Sequence, residues 1–89
     1  MKLSELKYAD SFDNMTLRCC MVLIVLRGGA LDFGKVAERL EMPKPALSRA
    51  LDTLAIHGMV KRRRNDDDAR MVTVWLTDKG SKVAGVIYG

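Results

Sequence analysis

The sequence predicts an α+β domain, mainly helical with one small β-hairpin, and three observations carry this. Two short amphipathic segments, Phe33 to Leu40 and Pro45 to His57, are separated only by residues 41–44, with the break at Glu41-Met42-Pro43. Directly after Gly58 the apolar period changes from helical to two. The two alternating stretches then flank residues 65–69, a turn rich in Asn and Asp, which favour turn geometry. Two helices joined by a tight turn and followed at once by a hairpin make a winged helix-turn-helix, with the hairpin tip as the wing.

Length and composition fit one such domain. The 89 residues carry 15 Lys+Arg against 11 Asp+Glu, a net charge of +4. With 48% hydrophobic and 29% charged residues, the chain has the composition of a folded domain, not of a disordered tail. A chain this short buries only roughly 60–65% of the surface it exposes unfolded, which excludes a large enzyme with a deep pocket. The most apolar run, Cys19 to Leu26, is far shorter than the roughly 20 residues needed to span a membrane, so no membrane role is expected. Residues 1–10 include Glu5 and Asp10 and lack a long apolar stretch, which argues against a signal peptide and for a cytoplasmic address.

The elements follow in order. In residues 1–12, Ser4 can cap a short helix carrying Leu6 and Tyr8. Asn14 or Thr16 can cap a helix running to about Arg27, with Leu17, Cys20, Met21 and Ile24 on its apolar face, joined by Leu23, and Gly28-Gly29 ending it. Asp32 sits where a helix N-cap belongs, ahead of a helix with Val36, Ala37 and Leu40 on its apolar face and Lys35, Glu38 and Arg39 in water. Pro45 suits the first turn of the next helix, where a missing N–H costs nothing. That helix has Leu47, Ala50, Leu51 and Leu54 as its stripe, Lys44, Ser48, Arg49 and Asp52 on other faces, and Gly58 as its left-handed stop. The hairpin over 59–76 has Lys61-Arg62-Arg63-Arg64 in its first strand and Arg70 to Leu76 as its second. Val72, Val74 and Leu76 point one way; Met71, Thr73 and Trp75 point the other. Thr77 caps a last helix over 77–89.

The stretch from Leu31 to Gly80 resembles the DNA-binding lobe of MarR-type transcriptional regulators. Three parts carry the likeness: VAERL followed by ALSRALDTLAIHGMVKR; Asp68-Ala69-Arg70, matching the family's Asp-x-Arg at the wing; and the strand from Val72 to Leu76 with Thr77-Asp78-Lys79-Gly80, matching strand plus Leu-Thr-x-x-Gly. The resemblance implies that Lys44, Pro45, Ala46, Ser48 and Arg49 lie on the part of the recognition helix that enters the major groove. It implies that Arg70 reaches into the minor groove and that Asp68 orients it. The chain departs from the family in having Pro43 where a capping Ser or Thr is usual, Glu41 where Gly is frequent, and Pro45 and Ala46 in place of hydroxyl residues. Its terminal helices also look shorter than those that make the family's dimer and frame its ligand pocket, which argues against a small-molecule switch of that kind.

Physical chemistry points the same way. Lys61, Arg62, Arg63, Arg64 and Arg70 suit a phosphate backbone through counterion release, with a log–log salt slope of roughly −0.9 per phosphate contacted. Four or five contacts would give a slope of about −4. A solvated charged strand is the plainer alternative. Asp66, Asp67 and Asp68 can pair with Arg62, Arg63 or Arg64, and Asp66 and Asp67 can equally serve as turn formers. Arg49 either bonds guanine through O6 and N7, a contact worth about 1–3 kcal/mol of discrimination, clamps a phosphate, or simply faces solvent.

Other residues carry less. The adjacent Cys19 and Cys20 cannot staple distant segments; Cys20 reads as a small core residue and Cys19 as a partly exposed thiol, with a redox sensor as the sharper alternative. His57, alone in the chain, suits a helix C-terminus better than a metal site. Trp75 either packs on the first or last helix or offers a partner surface, and Ile56, Val86, Ile87 and Tyr88 supply apolar area for self-association. No catalytic constellation, cofactor loop or metal spacing is present, so no enzyme activity and no cofactor are expected. The expected function is sequence-specific binding of double-stranded DNA by a homodimeric small repressor. Two alternatives stand beside it: a protein-interaction module that antagonises another regulator through Trp75 and the last helix, and an excisionase-like DNA-bending factor.

Overall fold

The computed structural model describes residues 17–68 and 70–88. The expected caps Ser4, Asn14 and Thr16, and the segment 1–12, lie outside the described residues, as do the structure of Ala69 and the side chain of Tyr88. In order come α1 (Leu17–Val25), a 3-10 turn (Leu26–Gly28), β1 (Leu31–Asp32), α2 (Phe33–Leu40), α3 (Lys44–Ile56), β2 (Val60–Arg64), β3 (Val72–Leu76) and α4 (Asp78–Tyr88). The strands form one antiparallel sheet in the order β1-β3-β2.

The helix-turn-helix follows its local signals. Asp32 caps α2, its Oδ1 accepting from the Lys35 N–H at 2.8 Å. Both α2 and α3 end in a Schellman motif. Met42 N–H donates to the Ala37 carbonyl and Glu41 N–H to that of Glu38; Met59 N–H donates to Leu54 and Gly58 N–H to Ala55. Glu41 and Gly58 occupy the left-handed positions, at φ 49° and 71°. In each case the methionine that follows is buried and locks the exit of the chain. Pro43 stands at the N-cap of α3 and gives it no side-chain cap; its carbonyl accepts from the Leu47 N–H at 3.0 Å.

The core joins Leu23 and Leu26 of the first helical region, Val36 of α2, Leu47, Leu51 and Leu54 of α3, and Val74 of β3. Two expectations need correction. Helix α1 buries Cys19, Val22 and Leu23, whereas Leu17 is 76% exposed and Cys20, Met21 and Ile24 are only half-buried. It is apolar on nearly every side, so its own periodicity cannot choose a face. Packing against α2, α3 and α4 chooses it. The two cysteines exchange roles accordingly: Cys19 is fully buried near the Ala50 carbonyl, and Cys20 is the half-exposed thiol. Burial first, and the neighbouring Cys19 second, push the Cys20 thiol above its ordinary range, opposite to what a thiolate sensor needs.

The sheet also has a strand that the pattern did not announce. Leu31 pairs with Val74 and Asp32 with Thr73, so β1 ties the start of α2 to the middle of β3. The second hairpin strand begins at Val72, and Arg70 belongs to the turn.

Candidate nucleic-acid interface

The start of α3 and the hairpin carry the predicted site residues. Leu47, Ala50, Leu51 and Leu54 hold α3 in the core, which turns Lys44, Pro45, Ser48 and Arg49 outward and leaves Ala46 half-buried. An open groove runs between the first turn of α1 and α3, lined by Arg18, Pro43, Pro45, Ala46, Arg49 and Thr53. Arg18 is the cation there that sequence reading missed, because only the packing of α1 on α3 brings it to that helix.

The hairpin places its cations by strand parity. Lys61 lies opposite Trp75 and Arg63 opposite Thr73; Val60, Arg62 and Arg64 lie opposite Leu76, Val74 and Val72. Side chains alternate between faces, and the second set shares the face on which Val60 and Val74 are buried. Arg62 is therefore aimed back at α3, and its Nη1 donates to Asp52 Oδ1 at 2.7 Å. Arg63 instead points outward and meets Asp66 at 3.5 Å. Trp75 is half-buried on the outer face, outside the core, bounding a shallow groove with Arg63, Arg64 and Thr73.

The wing tip is a chain of local bonds. Asn65 N–H donates to the Met71 carbonyl, Asp67 N–H to Asn65 Oδ1, and Met71 N–H to the Asp68 carbonyl. Asp68 Oδ1 accepts both from the Arg70 N–H at 3.0 Å and from Arg70 Nε at 3.2 Å. One carboxylate oxygen thus sets the backbone and the guanidinium of Arg70 together, while the Arg70 side chain remains 91% exposed. Such exposed pairs contribute only about 0–1 kcal/mol to stability. Their effect is to aim a charged group.

The wing is joined to α3 at its base. Thr77 Oγ1 donates to the Gly58 carbonyl at 2.6 Å and accepts from the Gly80 N–H, capping α4 as expected. Lys79 Nζ donates to the His57 carbonyl at 2.8 Å, placing a cation at the negative end of α3. Gly80 is required by contact: a Cβ there would fall on the Met59 carbonyl. Thr77 and Gly80 explain physically why a Thr-x-x-Gly sequence follows the last strand. His57 itself forms the C-cap of α3, as its position suggested.

Among the described residues, no three or more His, Cys, Asp or Glu side chains converge where they could hold a metal ion. Among those same residues, no helix is long and apolar enough to cross a membrane.

Comparison with known proteins agrees with this geometry. No curated protein matches the chain. Among solved structures, the zinc-responsive MarR family member ZitR of Lactococcus lactis is 28% identical, with a TM-score of 0.73 over 81% of this chain and 50% of its own. The transcriptional regulator PA4135 is 26% identical, with a TM-score of 0.76 over 98% and 70%. MepR of S. aureus, in a DNA complex, shares the fold at 23% identity and a TM-score of 0.76, over 89% and 65%. The chain thus spans about half the length of ZitR. A MarR family model matches residues 13–71, and with the winged helix-turn-helix in place the chain belongs to the MarR family.

Proposed function

We propose that this chain binds double-stranded DNA with sequence preference and acts as a transcriptional repressor in the form of a homodimer. The observation that carries the reading is the Asp68–Arg70 arrangement. A nearly fully exposed guanidinium is held at the tip of a basic hairpin by a carboxylate that fixes its backbone and its side chain at once. In the narrow minor groove an arginine so aimed meets an enhanced negative potential. Lys44, Pro45, Ala46, Ser48 and Arg49 are read as the groove-entering end of the recognition helix, with Arg49 as the base reader. Lys61, Arg63 and Arg64 supply phosphate contacts along the hairpin.

Dimer formation is supported by family membership and by the exposed apolar residues Leu17, Ile56, Val86 and Ile87. A symmetric dimer presents two recognition helices to successive major grooves about 10 bp apart. Selection from a random duplex pool tests this. Enrichment of an inverted repeat with half-sites at that spacing is expected. Recovery of unrelated sequences, or of single half-sites, would contradict it.

A further inference from the structure

One carboxylate sits where a DNA-binding face should not tolerate it. Asp52 lies on α3 four residues after Ser48 and three after Arg49, so it shares their stripe of the recognition helix, and it is exposed. Left alone, it would repel phosphate. It is held instead by Arg62, which strand parity puts on the same face as the buried Val60. The Arg62 side chain is 35% exposed, against 74% for that of Arg63. The bond spans two different elements, whereas the Arg63–Asp66 and Arg70–Asp68 pairs are each confined to the hairpin.

We infer that Asp52 and Arg62 form a positioning pair that sets the angle between the recognition helix and the wing, so that both meet one duplex together. The inference rests on the DNA reading above. In it Arg62 is a strut and not a phosphate contact, and Asp52 favours binding although its charge opposes it. Two attached elements that must engage the same ligand gain when their relative placement is fixed beforehand, because less ordering remains to be done on binding.

The sign of a single substitution separates this from plain electrostatics. Asp52→Ala removes a negative charge from the binding face and replaces a poor helix former with a good one, so α3 stays formed. Electrostatics alone predicts tighter binding. The positioning pair predicts binding about fivefold to tenfold weaker to a labelled random-sequence duplex at low salt. Arg62→Gln should weaken binding similarly with its salt slope unchanged, where loss of a phosphate contact would make the slope shallower by about 0.9. The double variant should be no weaker than either single one, and the melting temperatures of all three should stay close to the parent's.

If Asp52→Ala binds as tightly as the parent or tighter, the inference is overturned while the DNA reading stands. A shallower slope for Arg62→Gln would overturn it as well, by making Arg62 an ordinary phosphate contact. If the parent chain itself binds no duplex, the DNA reading fails and takes the inference with it.

Discussion

The start of α3 and the wing are two exposed regions of one small domain, and they differ in what holds them. The helix is anchored by four buried side chains in the core and presents few polar groups, with proline in its first turn. Below its tip the hairpin is anchored chiefly by Val60 and Val74, and it carries Lys61, Arg62, Arg63, Arg64 and Arg70. Its placement depends on bonds made by side chains: Asp52 with Arg62, Asp68 with Arg70, and the Thr77 hydroxyl with the Gly58 carbonyl just past α3. The difference suggests a division of labour. A rigid element with few donors suits reading of groove shape, with base-edge contact left to Arg49. A charged, bond-aimed element suits the salt-dependent grip on the backbone.

The most drastic way to break the comparison is to separate the two regions at their joint. Gly80→Ala drives a methyl group into the Met59 carbonyl, between the end of α3 and the start of β2. We expect a loss of about 3 kcal/mol in urea unfolding, the upper end of what overpacking costs. A stability within error of the parent would show that the two regions do not depend on this contact.

A smaller change sharpens the comparison. Arg49→Ala should cost about 1–3 kcal/mol of discrimination at one base pair of the selected site. Competition with duplexes altered at single positions measures it. If all positions lose equally, Arg49 is a phosphate contact and the division of labour is wrong on the helix side.

The smallest expected effect concerns the two helix stops. Glu41 takes the left-handed position that Gly58 takes in α3, and such a conformation costs a residue with a Cβ about 1–2 kcal/mol. Glu41→Gly relieves this and loses part of the gain to the freer unfolded chain, so thermal unfolding should show a net stabilisation of about 0.5–1 kcal/mol. Destabilisation would mean that the Glu41 side chain makes a compensating contact.

What the sequence made legible follows from the same contrast. Asp32, Pro45, Gly58 and Thr77 are local stop and start signals, and each acts in the structure as it reads in the chain. The Asp68–Arg70 pair was legible only through the family resemblance, since the residues alone pointed the acidic run at Arg62, Arg63 or Arg64, of which Arg63 does meet Asp66. The buried face of α1 was not legible, since its residues are apolar nearly all round and only neighbouring helices choose among them. Strand β1 is two residues long, and its pairing with Val74 is fixed by tertiary contact. Asp52 read as a solvated charge because its partner lies on another element. The parity of Val60 and Arg62 on one strand face was the available hint.

The central claim is that an aimed wing arginine grips DNA. It is tested most directly by fluorescence anisotropy of a labelled duplex over a salt series, with the parent chain and Arg70→Ala in parallel. The account predicts a parent slope of about −4 and, for the variant, weaker binding with a slope shallower by about 0.9. Identical affinity and slope for the two proteins would contradict it and leave the Asp68–Arg70 pair as a turn without a ligand.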